Sequence, residues 1–194
     1  SSGSRLLVQK NVYTTFIKNL IEHIKQLKLG VEEGCDLGPV VSQRQCENIL
    51  RAIDIAKLEG GKVLIGGGRA NDKKLSAGYY IEPTLIEGLS HDQVLPNTEI
   101  FGPVLSVMPF DTEEEAIKIA NDTPYGLTNY IQTQDKEKVK RVARKLRSGM
   151  VDVNGAGIAV DAPFGGFKHS GIGREAGEHG LEEFLEVKSV GGWS

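Results

Sequence analysis

Glu99 and Phe101, in Glu99-Ile100-Phe101-Gly102-Pro103, are the side chains best suited to holding a flat, hydroxylated ligand. In an extended stretch, residues two apart point to the same side, and Gly-Pro then fixes a turn. The carboxylate could grip the hydroxyls of a ribose while the ring packs against a flat heterocycle. The competing reading is an exposed glutamate beside a core phenylalanine. A second segment, Pro163-Phe164-Gly165-Gly166-Phe167-Lys168-His169-Ser170-Gly171, has glycines able to adopt conformations closed to other residues. On its residues alone it reads as a structural turn.

Other chemistries find less support. Cys35 sits in a Gly/Asp loop and Cys46 on a helix, and neither has a nucleophile's surroundings. His23, His91, His169 and His179 lack metal-ligand spacing with one another or with the cysteines. Gly66-Gly67-Gly68 follows a strand, as phosphate loops do, but no Lys-Ser/Thr follows and no apolar-periodic helix opens, so a turn is expected. The run from Gly171 to Gly177 nearly spells a dinucleotide fingerprint. Its last spacing is one residue too long and no strand precedes it. The basic series Lys136, Lys138, Lys140, Arg141, Arg144, Lys145 and Arg147 lies on the polar faces of an amphipathic helix and reads as a solvated surface.

The elements that would position these groups alternate. Leu6-Leu7-Val8 reads as a buried strand, and Val12, Phe16, Leu20, Ile24 and Leu27 recur at helical spacing. Ser42-Gln43-Arg44-Gln45 reads as a capping box, with Ser42 accepting from a free N–H and Gln45 reaching back; Thr112 to Glu115 reads as a second. Strands are expected over Lys62–Ile65, Tyr80–Glu87, Val104–Phe110, Thr128–Gln132, Met150–Val153 and Glu186–Val190, and a helix over Asp135–Ser148. Strands alternating with amphipathic helices predict an α/β fold with a largely parallel sheet.

Composition sets the bounds. The 194 residues can bury roughly 70% of the unfolded chain's surface. Hydrophobic residues make up 39% and charged residues 25%; the net charge of −3 gives no reason to expect nucleic acid or anionic membrane as a partner. Two cysteines are too few for a disulfide framework and suit a reducing, cytoplasmic setting, with a single bridge as the alternative. No apolar run approaches the ~20 residues a membrane helix needs. The opening Ser1-Ser2-Gly3-Ser4 lacks an initiator Met and a signal-peptide core, and reads as an added Ser/Gly stretch or as a piece of a longer protein.

Taken together, these segments resemble the aldehyde dehydrogenase superfamily along the full length. The carriers, in order, are Gly3-Ser4-Arg5 with its apolar strand, Asp36-Leu37-Gly38-Pro39-Val40, and Gly78 through Thr84. Then follow Glu99 through Val104, Asn121 through Leu127, Val153-Asn154, Pro163 through Lys168, Ser170 through Glu175, and Gly180-Leu181 before Glu186-Val187-Lys188. Thr98, where an acid is frequent, and Asn129, where small residues are usual, depart from the pattern. The Tyr125 to Asn129 run and the Gly-Trp ending resemble a bacterial branch.

The resemblance implies a three-layer α/β/α catalytic-domain portion over 1–170, with a crossing segment and an oligomerisation strand over 171–194. It implies NAD or NADP as cofactor, an aldehyde as substrate and a carboxylic acid as product. A cysteine thiolate would attack the aldehyde, the thiohemiacetal would yield a hydride to the nicotinamide, and a glutamate-activated water would release the acid. It places the nucleophilic cysteine immediately before Ser1. The general base, the oxyanion amide and the cofactor domain would lie further upstream, in a missing N-terminal half that would be this chain's partner. The chain itself then carries no catalytic residue and is expected to be inactive alone.

Carried over residue by residue, Glu99 would bind the nicotinamide ribose, and Phe101 and Leu127 would lie near the nicotinamide. Asn154, Ala156, Ile158 and Phe164 would line the aldehyde tunnel. Glu175 would be an acid behind the reacting groups, in a proton role or in an ion pair with Arg174 or Lys168. The loop Gly155 to Asp161 is small and mostly apolar, which implies a tunnel not dominated by aromatics. A homo-dimer or homo-tetramer is implied. Two other readings stand beside this one: a non-catalytic assembly module of the same fold, and an acyl-phosphate or acyl-CoA reductase relative.

Overall fold

The structure is a computed structural model and describes residues 2–192. It divides into two compact units, residues 2–123 and the chain from Pro124 onward.

The first unit holds β1 (Arg5–Gln9), α1 (Lys10–Ile24), α2 (Gln43–Leu58), β2 (Lys62–Ile65), β3 (Thr84–Glu87), β4 (Val104–Phe110) and α3 (Glu113–Asn121). Its sheet runs β1-β4-β3-β2. The β1–β4 and β3–β4 pairs are parallel; β2 joins β3 antiparallel, with a bulge between Val63 and Ile65. Neighbouring strand residues face opposite sides. Leu85 therefore packs with Val8, Ile17 and Val107 on the α1 face, while Ile86 packs with Ile49, Ile53 and Ala56 on the α2 face. Two covered faces give the three layers expected and explain why β3 is apolar at consecutive positions. Arg5 donates to the carbonyl oxygens of Ile119 and Ala120 at 2.8 Å each, capping the end of α3 with a cation.

The second unit holds β5 (Thr128–Ile131), α4 (Lys136–Ala143), β6 (Met150–Val153) and α5 (Gly177–Glu182), with β5 and β6 parallel. Asp135 caps α4, its carboxylate accepting from the Glu137 and Lys138 amides at 3.0 Å. Among the described residues no helix is long and apolar enough to cross a membrane.

Several expectations are corrected. Ser42 does cap α2, accepting from the Gln45 amide at 3.2 Å, but the Gln45 side chain does not reach back. Its amide donates to the carbonyls of Ile100 and Phe101 instead, a tertiary bond that outcompetes the local one. Thr112 caps α3, and Glu115 reaches past it to the Asp111 amide at 2.7 Å. The expected strand over Tyr80–Glu87 shortens to Thr84–Glu87: Pro83 has no N–H to give a ladder. The helix expected to Ser148 ends at Ala143. Residues 186–190 join no ladder among the described residues and lie exposed.

Candidate functional site

In the first unit the structure builds a presenting loop around Glu99. It begins at the 3₁₀ turn Leu95–Asn97, where Thr98 Oγ1 donates to the Val94 carbonyl at 2.8 Å. Ile100 is buried among Cys46, Ile49 and Ile53 of α2. Phe101 adopts a left-handed backbone (φ 52°), a conformation costing a non-glycine residue about 1 kcal/mol or more. Two contacts with α2 hold it there. Gln45 Nε2 donates to Ile100 O at 2.6 Å and Phe101 O at 3.3 Å. Gly102 lies so close to Ile49 that an added Cβ would fall 2.4 Å from Ile49 Cδ1. Beyond the loop, the Thr84 amide donates to Pro103 O at 2.8 Å, joining it to β3.

Glu99 is exposed, and Phe101 keeps 79% of its surface open. The segment is not a strand, but burying Ile100 leaves the flanking carboxylate and ring outward. The core-phenylalanine reading is thereby overturned, since Ile100 is the core residue.

In the second unit the glycine-rich segments lock onto one another. The Gly126 amide donates to Ser170 Oγ at 3.0 Å, and Gly126 O accepts from the Phe167 amide at 2.9 Å. Leu127, half-buried, gives its carbonyl to the Met150 amide at 3.0 Å. Phe164 and Glu175 exchange backbone hydrogen bonds of 2.7 Å in each direction, and the Glu175 carboxylate is left exposed. Among the described residues no ion pair joins Glu175 to Arg174, one of its two anticipated partners. Arg174 donates to the carbonyls of Gly166 (3.0 Å) and Gly173 (2.7 Å) and lies 5.3 Å over the Phe167 ring, while Arg147 lies 5.8 Å from that ring. Arg174 is thus the strut of the Pro163–Gly171 turn.

Of the four expected tunnel residues, Asn154 has a structural task. In a left-handed conformation (φ 55°), its side-chain amide accepts from the Thr133 N–H at 2.9 Å and donates to Thr133 O at 3.0 Å, like a strand rung. Ala156 is exposed, its amide closing a turn on Val153 O at 3.1 Å. Ile158 lines an open cleft of about 790 Å³ with Met150, Ala162, Pro163, Ile172 and Arg174. Phe164 is exposed and is not part of that lining.

The cysteines carry no site. Cys46 is 2% exposed within the α2 core, and Cys35 lies in a loop 3.7 Å from a Glu32 oxygen. The triple glycine closes as a turn: the Gly67 amide is taken by Thr84 Oγ1 at 2.8 Å. Among the described residues no group of three or more His, Cys, Asp or Glu could hold a metal ion. The sequence named Gln45 and Arg174 but not the carbonyls they bind; the signal for Gln45 was its place three residues after a cap, one turn from a helix start that could face a neighbouring loop.

The sequence pattern of the aldehyde dehydrogenase family matches residues 1–190. The chain belongs to that family. A point mutant of betaine aldehyde dehydrogenase from Staphylococcus aureus, solved with NAD+ and a BME-modified cysteine, is similar at 41% identity and a TM-score of 0.94. That match covers 97% of this chain and 39% of the other. The unmutated S. aureus enzyme with NAD+ matches at 39% identity and a TM-score of 0.93, over 100% of this chain and 41% of its own. A candidate aldehyde dehydrogenase of Staphylococcus haemolyticus is 42% identical over 195 residues, 100% of this chain. The chain spans 41% of that relative's length. The mixed α/β architecture with parallel strand pairs is that of these structures.

Proposed function

We propose that these residues are the part of an NAD(P)-dependent aldehyde dehydrogenase that receives the nicotinamide end of the cofactor and walls the aldehyde's approach. The observation that carries this reading is the presentation of Glu99 and Phe101, held outward on a loop pinned by Gln45 and Ile100. The residues fit the cofactor: an exposed carboxylate accepts from vicinal hydroxyls, and an exposed ring packs against a flat one. The cofactor, when bound, accepts the hydride. Glu99 and Phe101 would fix its orientation, and the glycine-braced loop 154–164 would shape the substrate's path. Neither cysteine of this chain is placed as a nucleophile; on this reading the thiolate, the general base and the rest of the cofactor site would come from sequence outside these residues. The small, mostly apolar loop Gly155 to Asp161 would give a tunnel not dominated by aromatics, with room for groups from elsewhere in the protein. Glu175, exposed at the strut of the glycine turn, is proposed as an acid behind the reacting groups.

The test is Glu99→Ala in the full-length protein. Turnover at saturating cofactor falls at least tenfold while the melting temperature changes little; unchanged kinetics would remove the assignment. The 194-residue chain alone gives no aldehyde-dependent rise in reduced-cofactor absorbance; turnover of about 1 per second or more would contradict the reading. A second role in assembly is favoured by the exposed apolar side chains Leu181, Phe184, Leu185, Val187 and Val190. We assign residues 171–194 to packing between copies in a homo-dimer or homo-tetramer.

A further inference from the structure

We infer that Asp152 is a positioning residue that sets the conformation of the loop at 154–161 and, through it, the binding of the aldehyde. The inference rests on the proposed reading of that loop as a wall of the substrate path.

Asp152 stands on β6 opposite Tyr130 of β5, on the strand that delivers the chain into the loop. Three loop residues have backbones that the sequence does not hold by itself: Asn154 (φ 55°), Gly155 (φ 71°) and Gly157 (φ 77°). Two glycines and an asparagine in left-handed conformations form a segment with many alternative paths, and glycine loses more freedom on ordering than any other residue. Something must choose among those paths. Asn154 fixes the near end through Thr133, and the Ala156 amide closes a turn on Val153 O. At the third of these left-handed residues the choice falls to Asp152, whose Oδ2 accepts from the Gly157 amide at 3.1 Å. Beyond that point the loop runs into Ile158, which faces the open cleft.

The other Asp152 oxygen, Oδ1, is buried without a hydrogen-bond partner among the described residues. A buried carboxylate oxygen left unsatisfied is costly, so Asp152 is a poor choice as a neutral filler of the strand. On the same face, two register positions away, Thr128 Oγ1 is likewise buried without a partner among the described residues. The residue is explained by the amide it holds. A carboxylate bond to a backbone N–H is of the stronger, charge-assisted kind.

The experiment uses the full-length protein and four forms: wild type, Asp152→Ala, Asp152→Leu and Asp152→Asn. Ala removes the acceptor, Leu removes it while keeping bulk in the strand, and Asn keeps an acceptor oxygen for Gly157. Hydrogen exchange resolved to single amides should show Gly157 exchanging about ten- to hundredfold faster in the Ala and Leu forms. The Asn form should retain protection. The aldehyde KM should rise about tenfold in the Ala and Leu forms, with the cofactor KM unchanged and the Asn form close to wild type. Gly157 exchange unaltered in both the Ala and Leu forms overturns the inference, as does an Asn form as unprotected as the Ala form. An unchanged aldehyde KM alongside faster exchange overturns the link from loop to substrate. A wild-type protein that oxidises no aldehyde removes the proposed function and leaves the exchange comparison to decide the role of Asp152.

Discussion

Gln45 donates from one nitrogen to two consecutive carbonyls, and those carbonyls belong to the buried Ile100 and the left-handed Phe101. A leucine at that position fills similar space and donates nothing. Gln45→Leu should cost about 1–2 kcal/mol of stability by leaving acceptors unpaired, read as a lower melting temperature. In the full-length protein it should raise the cofactor KM several-fold, because the Phe101 ring loses its fixed presentation. Equal KM in a destabilised variant would show that the loop holds without it. Ser42-x-x-Gln45 carried the right helix start but the wrong partner for the glutamine. Spacing along a chain identifies the nearest available N–H, and it cannot weigh that against carbonyls 55 residues away. Glu99 and Phe101 were legible because the buried residue between them sets their direction whether or not the segment is a strand. Arg174 was legible as part of a motif, while its work on the Gly166 and Gly173 carbonyls was not.

At the scale of elements, patterning reached most of the fold because α1 and α2 each turn an apolar face to the sheet and the central strands β3 and β4 are largely apolar. Its errors fall where a local rule meets a tertiary contact: Pro83 truncates β3, and α4 stops before the apolar pattern does. The joint between β6 and the glycine turn rests on Gly149, where an added Cβ would lie 1.8 Å from Gly165 O. Backbone cannot yield as a side chain can, so Gly149→Ala should destabilise by about 1–3 kcal/mol or more, measured by denaturant unfolding. On the α1 face, Tyr13 donates to Glu87 at 3.0 Å, bridging helix to strand. Partial burial, then the bond to the Glu87 carboxylate, pushes its hydroxyl up to about 12. The folded state thus keeps this proton at a pH where the unfolded chain has released it. Its stabilisation is complete below about 10 and is lost as pH rises through about 12. Alkaline titration of tyrosinate absorbance should show a late phase that disappears in Tyr13→Phe; a late phase of unchanged amplitude in that variant would remove the assignment to Tyr13.

At the scale of the whole protein, the chain's last described stretch poses the question of assembly. Phe184 is 86% exposed and Val187 98%, and residues 186–190 carry backbone groups that join no ladder among the described residues. Such a stretch can satisfy its N–H and C=O groups by adding to the edge of a sheet, a pairing that needs only backbone hydrogen bonds. A symmetric assembly would repeat the contact in every copy, so removing it acts on all interfaces together. Deleting Glu186 to Ser194 from the full-length protein should therefore lower the mass seen by light scattering from that of the proposed dimer or tetramer to a smaller species, with little change in helix and strand content by circular dichroism. The smaller species should retain the cofactor binding proposed for Glu99, because that loop is held by α2 within residues 2–123. An oligomer of unchanged mass would mean that the segment pairs within its own subunit, and the apolar side chains it leaves exposed would then be covered by the rest of the same protein.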